Sequence, residues 1–176
     1  MPNLGEYHPI VVHFAIVLLI VGAIFRWISL TQRVAFAGPA ATTLLLAGTL
    51  AAVVAARSGL DAHGPVERIP GAVHAVQEHE EWGLRTRNVF LAVALVELAA
   101  LALARRGKAR PALIASSALC LAGLVCLFEA GEHGGDLVYS YAGGVGIQSG
   151  KPEDVGRLLL AGLYHQSQLD RKAGRG

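Results

Sequence analysis

The sequence predicts an all-α integral membrane protein, a bundle of four spanning helices. Of its 176 residues, 53% are hydrophobic and only 16% are charged, and a mean hydropathy of +0.49 is too high for a soluble domain of this size. Four apolar segments reach the roughly 20 residues needed to cross a bilayer. They cover residues 9–28, 34–56, 84–104 (or 89–104) and 111–128. An even number of spans puts both chain ends on the same side of the lipid bilayer.

Lysine and arginine in the short loops predict which side that is. Arg26 and Arg33 flank the turn after the first segment, and residues 105–110, after the third, hold four basic side chains and no acid. Of the 13 acidic residues, all but Glu97 fall toward the opposite side. We therefore expect a multi-pass protein of the bacterial cytoplasmic (inner) membrane with both termini in the periplasm. The first segment lacks a preceding basic stretch and is expected to be retained, not cleaved.

The chain divides into residues 1–150, which hold the four-helix transmembrane domain, and residues 151–176, which form a tail. The pattern of apolar and charged residues in the tail predicts an amphipathic helix. This helix is too short and too charged to span a membrane, so we expect it to lie on the membrane or on a partner. Residues 129–146 are rich in glycine and predict a loop that covers the outer face.

The connection between the second and third segments predicts turns at Gly64-Pro65 and Pro70-Gly71. From residue 72 onward one long helix is expected to run into the third segment. On that helix His79 and Glu97 are 18 residues apart, which is about five whole turns, so both lie on one face. Glu97 is either half of a buried ion pair with Arg26 or a proton carrier.

Histidines gather at the outer ends of the spanning segments. Ionisable residues at the membrane boundary are by default candidates for function. The gathered histidines are His8, His13, His63, His74, His79 and His133, and His165 in the tail is the exception. The pattern predicts a histidine-lined site at the outer face.

The preferred hypothesis for this site is a b-type haem with His13 and His79 as axial iron ligands. A haem in an electron-transfer protein takes two ligands from facing helices, and a helical bundle supplies them from its core. The first and third segments enter the membrane from the same side, and each of these histidines is the deeper of its pair. Interfacial arginines are expected to pair with the propionates: Arg57, Arg68, Arg85 or Arg87. A second haem on His8 or His74 with His133 is a weaker extension.

The haem hypothesis implies electron transfer, between a quinol or a larger membrane complex and a periplasmic electron carrier. A second hypothesis is a zinc or copper ion on His8, His74 and His133 with nearby glutamates, although copper is disfavoured because Met1 is the only thioether. The histidine pattern is also consistent with a quinone site, or with a cofactor-free accessory subunit of a larger complex.

Several classes of protein are not expected. No basic stripe interleaved with aromatics is present, so nucleic acid is not an expected partner. No Ser/His/Asp set, phosphate loop or pair of catalytic carboxylates indicates a hydrolase or transferase. Cys120 and Cys126 lie on different helix faces and are expected to be packing residues, not a disulfide.

Two motifs resemble those of the DUF2231-type family of predicted four-helix membrane proteins. The string HPIVVHFAIVL begins at His8 and matches the family's "HP-x-x-VHFPI", with Ala15 in place of the usual proline. The string GEHGGDLVY, residues 131–139, matches "G-x-x-GG-x-LVY", although Tyr141-Ala142-Gly143 stands where His-Gly is frequent. The resemblance covers most of residues 8–146. It implies the four-helix fold and emphasises His8, His13, His79 and Gly134-Gly135, and it implies no particular activity.

Overall fold

The structure, a computed structural model, describes residues 4–67, 71–141 and 152–174, which form helices and contain no β-strand. A 3-10 turn at Gly5–Tyr7 leads directly into the first α-helix. The α-helices are α1 (His8–Leu30), α2 (Ala37–Glu67), α3 (Val73–Ala104), α4 (Arg110–Tyr139) and α5 (Pro152–Lys172). This architecture confirms the predicted all-α fold.

Helices α1 to α4 each contain a stretch long and apolar enough to cross a membrane. The candidate spans are Gly5–Leu30, Ala37–Gly64, Val73–Ala104 and Arg110–Tyr139, of 26 to 32 residues. Their outward faces carry large apolar side chains, such as Leu50, Leu95 and Phe128, each at least 67% exposed. An apolar surface of this extent is suited to lipid, not to water. The structure therefore bears out a membrane protein with four candidate spans.

The four helices are arranged in a ring. Helix α1 packs against α2 and α4, and α3 packs against the same two, so α1 and α3 face each other diagonally. The fully buried core between them includes Leu19, Leu45, Phe90 and Cys120, one from each helix. Thr49 on α2 also donates a hydrogen bond to the Phe90 carbonyl of α3 (3.1 Å). The bundle is thus held by apolar packing with a few polar contacts between helices.

Two predicted irregular regions are helical instead. Helix α2 continues through Gly64-Pro65 to Glu67, so the turn predicted there is wrong, whereas Gly71 does adopt the left-handed backbone of a turn (φ +84°). The glycine-rich stretch after residue 128 stays in α4 as far as Tyr139, so the loop expected over residues 129–139 is also wrong. Ser140 and Tyr141 form a turn, and residues 142–146 of the expected loop lie outside the described residues. Glycine and proline only weaken a helix as local preferences, and both helices continue through them here.

Three further predictions are confirmed. One long helix, α3, runs from Val73 through the third span, and the tail is helical over Pro152–Lys172. Cys120 and Cys126 are free thiols.

Candidate functional site

His8 and His79 meet at one end of the bundle. His8 is the first residue of α1, and His79 lies in the second turn of α3, so the two diagonal helices bring their histidines to a similar level. The imidazole rings are half-buried, their centroids are 6.1 Å apart, and their planes are nearly perpendicular at 79°. These two side chains form the centre of the candidate site.

Each imidazole is fixed by a main-chain carbonyl of the neighbouring helix. His8 Nδ1 lies 3.1 Å from the Ala55 carbonyl oxygen on α2, and His79 Nδ1 lies 2.9 Å from that of Ala130 on α4. A carbonyl oxygen can only accept, so a hydrogen bond to it assigns the proton to Nδ1. His8 Nδ1 also lies 3.0 Å from the Ser58 hydroxyl, which itself donates to the Ala55 carbonyl. A neutral imidazole protonated on Nδ1 has its lone pair on Nε2, which is the arrangement of histidines that ligate metals.

Two glycines let the imidazoles approach these helices. A Cβ at Gly59 would lie 3.1 Å from the His8 ring, and a Cβ at Gly134 would lie 2.9 Å from the His79 ring. Any other residue at Gly134 would collide with the imidazole or displace it. Gly134 belongs to the Gly134-Gly135 pair of the sequence motif. Its contact with His79 is a physical reason for a glycine at that position.

Replacing Gly134 with alanine is expected to displace His79 and to destabilise the bundle by about 1–3 kcal/mol, the usual cost of overpacking. Gly131→Ala on the same helix is the matched control, because a Cβ at Gly131 meets nothing within 4 Å. The control should be neutral or slightly stabilising, since glycine costs about 0.5–1 kcal/mol in a helix. Thermal unfolding of both variants in detergent, followed by circular dichroism, measures the difference. Equal melting temperatures for the two variants would contradict the close contact.

The two histidines line a cavity of about 660 Å³. Its inner wall is apolar and is built from α1, α2 and α4: Ala15, Ile16, Leu19, Ala52 and Leu127. Polar groups are concentrated at its outer end, where His63 and Glu80 lie 3.5 Å apart. The volume and lining are those of a ligand pocket with a few polar groups that orient the ligand.

His13 also lines the cavity, but it is exposed, and its Nδ1 donates a hydrogen bond to the Pro9 carbonyl of its own helix. Five residues after His8, it is turned by about 140° around the helix axis. His8, not His13, makes the ring contact with His79. The geometry therefore favours His8 over His13 as the partner of His79.

The remaining histidines at this end of the bundle pair with carboxylates. His74 is 81% exposed and lies 3.3 Å from Glu78, and His133 lies 3.8 Å from the same carboxylate. The structure thus brings His74 and His133 together at Glu78, whereas the ring contact of His8 is with His79. Within residues 4–67, 71–141 and 152–174, no group of three or more His, Cys, Asp or Glu side chains is placed to hold a metal ion.

Arg57 and Arg85, predicted to pair with propionates, already hold carboxylates. Arg57 is paired with Asp61, whose second oxygen accepts the Leu4 amide (3.1 Å). Arg85 is paired with Glu81 and stacks on Trp82, with its guanidinium carbon 4.4 Å from the ring centroid. Neither arginine lines the cavity, and Arg68 lies outside the described residues.

A second polar cluster lies in the bundle core toward the opposite end of the helices. Arg26 and Glu97 are 1% and 0% exposed and form a two-point ion pair, with Nε 2.8 Å from Oε1 and a second contact between Nη2 and Oε2. The structure thus contains the ion pair that the sequence offered as one of two roles for Glu97. Arg26 therefore serves as a buried partner and not as a loop charge.

Hydroxyl groups complete this cluster. Thr42 on α2 donates to Glu97 Oε2 (2.8 Å), Ser116 on α4 donates to Oε1, and Ser29 accepts from Arg26 (3.1 Å). All four spanning helices therefore contribute a side chain. A buried charge pair is tolerated only when such additional hydrogen bonds satisfy it.

No curated protein and no solved structure matches this chain. The family model described as "Predicted membrane protein (DUF2231)" matches residues 6–147, which include the four spanning helices and both histidines of the candidate site. The chain therefore belongs to the DUF2231 family of predicted membrane proteins.

Proposed function

We propose that this chain is a membrane-embedded electron-transfer protein that holds one b-type haem between His8 and His79. The observation that carries the proposal is the pair of imidazoles, each with its Nδ1 within hydrogen-bonding distance of a main-chain carbonyl, an arrangement that leaves the Nε2 lone pair for a ligand. The proposal keeps the cofactor expected from the sequence and replaces His13 with His8.

The spacing of the two rings supports this ligand pair. Two imidazoles on opposite sides of one metal ion, with metal–nitrogen distances near 2.0–2.1 Å, have ring centroids about 6 Å apart. The observed separation is 6.1 Å. A lone small ion fits less well, because it needs three or four protein ligands and the described residues offer no third.

The cavity supports a large, flat and mostly apolar ligand. Its volume of about 660 Å³ falls within the range of pockets that bury cofactors, and its inner wall is aliphatic. The polar outer end, with His63 and Glu80, is the natural place for the charged edge of such a ligand. Because α1 and α3 are diagonal, a ligand bound between their histidines contacts all four helices.

When bound, a haem with two histidine ligands supplies a one-electron ferric/ferrous couple. The residues of this chain keep the ligand set intact during that change. The Ala55 and Ala130 carbonyls hold the tautomer and ring orientation of the two histidines, and the apolar wall excludes water. With the rings fixed in this way, the two histidines would need little reorganisation between the two oxidation states.

The proposal also specifies the membrane and the orientation of the chain in it. The loop ends of the helices opposite the site carry Arg33, Arg105, Arg106, Lys108 and Arg110, whereas Arg26 is buried and does not contribute. This asymmetry supports a cytoplasmic loop end, with the histidine site and both termini at the periplasmic face of the inner membrane. The partners consistent with it are a quinol or larger membrane complex as donor and a periplasmic carrier as acceptor.

The test is the visible spectrum of the detergent-purified protein produced in haem-replete bacterial cells. We expect a bound haem whose reduced-minus-oxidised spectrum has the sharp α-band of a six-coordinate b-type cytochrome, at one haem per chain. A colourless protein that also fails to take up added haemin would overturn the proposal. The cofactor-free accessory subunit would then be the better interpretation.

A further inference from the structure

The first and third helices carry the same series of inward side chains. His8, Leu19 and Arg26 lie along α1, and His79, Phe90 and Glu97 lie along α3, each 71 residues later. Leu19, Phe90, Arg26 and Glu97 are all at most 1% exposed, and the two histidines are both half-buried. Equal spacing with equal burial indicates that α1 and α3 are equivalent elements.

The second and fourth helices match in the same way. Gly48, Ala55 and Gly59 on α2 recur on α4 as Gly123, Ala130 and Gly134, at a constant offset of 75 residues. Their contacts recur as well, since the Ala55 and Ala130 carbonyls bind the equivalent histidines. A Cβ at Gly48 would lie 2.8 Å from Leu19, and a Cβ at Gly123 would lie 2.8 Å from Phe90.

The two hairpins, α1 with α2 and α3 with α4, are therefore related by an approximate two-fold axis along the bundle. A residue that lies on such an axis contacts the equivalent residue of the other hairpin. The structure contains two contacts between equivalent residues. The His8 and His79 rings are in contact near one end of the bundle, and Arg26 is paired with Glu97 toward the opposite end. Parallel repeats about an axis along the membrane normal are a known plan for membrane proteins.

We infer that the bundle consists of two copies of one helical hairpin and that Arg26 and Glu97 select the pairing between unlike copies. Each hairpin presents an inner face whose natural partner is a second hairpin of this type, from the same chain or from another copy of it. If two first hairpins met, Arg26 would face Arg26. If two second hairpins met, Glu97 would face Glu97. A like-charge pair buried in the membrane is strongly unfavourable, so only the unlike pairing is stable.

Charge exchange across the axis tests this inference, with monodisperse monomer in detergent as a readout that does not involve a cofactor. R26E and E97R each place like charges on the axis and should lower the monomer yield by about tenfold or more. R26E/E97R should restore it, because the Thr42 hydroxyl on α2 contacts both positions and Ser116 on α4 contacts position 97. A double variant no better than the single variants would overturn the equivalence of the two sites.

Co-expression tests the selection itself. Differently tagged R26E and E97R chains should purify together, because each hairpin of one chain then finds an unlike partner on the second chain. Two tagged wild-type chains should purify together far less, because each first hairpin finds its unlike partner in its own chain at a high effective concentration.

An apolar replacement separates pairing choice from folding. R26M/E97L should fold, because a buried ion pair can be replaced by apolar side chains of similar size without loss of stability. Differently tagged copies of this variant should purify together to a greater extent than tagged wild-type chains at the same expression level, because like hairpins of two chains can then pair without a like-charge penalty. Equal co-purification of the variant and the wild type would show that Arg26 and Glu97 do not select the pairing.

Discussion

Replacing His8 or His79 with alanine is expected to abolish the low-spin haem band, whereas His13→Ala should leave it unchanged. Either of the first two changes would remove one of the two proposed axial ligands, which the carbonyls of the neighbouring helices hold at the site. His13 is exposed and bonded to its own helix, so its loss would leave both proposed ligands in place. Reduced-minus-oxidised spectra of the three variants, at matched protein concentration, measure the effect.

His13→Ala is the control that distinguishes the structure from the simpler expectation drawn from the sequence. If the band disappears in His13→Ala and survives in His8→Ala, the ligand pair proposed here is wrong. Circular dichroism of each variant confirms that the helices remain, so that a lost band reports on the ligand and not on the fold.

Glu97→Ala is expected to be the most destabilising single change in the bundle core. It leaves the Arg26 guanidinium buried without its carboxylate, and breaking a buried pair in this way typically costs about 3–5 kcal/mol. Glu81→Ala is the matched control on the same helix, because Glu81 is 62% exposed and its pair with Arg85 lies at the surface. Surface pairs contribute about 0–1 kcal/mol.

Thermal unfolding of both variants in one detergent gives the comparison. We expect a large fall in melting temperature for Glu97→Ala and little change for Glu81→Ala. Similar melting temperatures would mean that the Arg26 environment relaxes or admits water, and that the buried network contributes little to stability.

The membrane fold could be predicted because apolar length alone defines a spanning helix. The ends of α2 and α4 could not, because local sequence does not show that Gly64-Pro65 or the glycines after residue 128 remain helical. At Gly134 the glycine serves a contact with His79 and not a loop. A glycine that allows close approach and a glycine that permits a turn look the same in a sequence.

The histidine pair could be predicted in part from the sequence. The 18-residue spacing that put His79 and Glu97 on one face also separates His8 from Arg26. With Arg26 as the partner of Glu97, that spacing indicates His8 and not His13 as the residue facing His79. Depth in the membrane, which favours His13, is a weaker criterion for a ligand than the 18-residue spacing. Depth does not show toward which neighbouring helix a side chain points.

The groups that orient the histidines could not have been found in this way. They are the main-chain carbonyls of Ala55 and Ala130, and any residue type supplies a carbonyl. Only the packing of α1 on α2 and of α3 on α4 brings them to the imidazoles. The match between the two hairpins would have been a usable signal, since Gly48, Ala55 and Gly59 recur at one constant offset.

The most direct test of the proposed site is low-temperature electron paramagnetic resonance of the oxidised protein. Iron held by His8 and His79 should give a low-spin ferric signal, and His8→Ala should replace it with a high-spin signal or none. A wild-type protein that binds haem but gives only a high-spin signal would contradict ligation by both histidines.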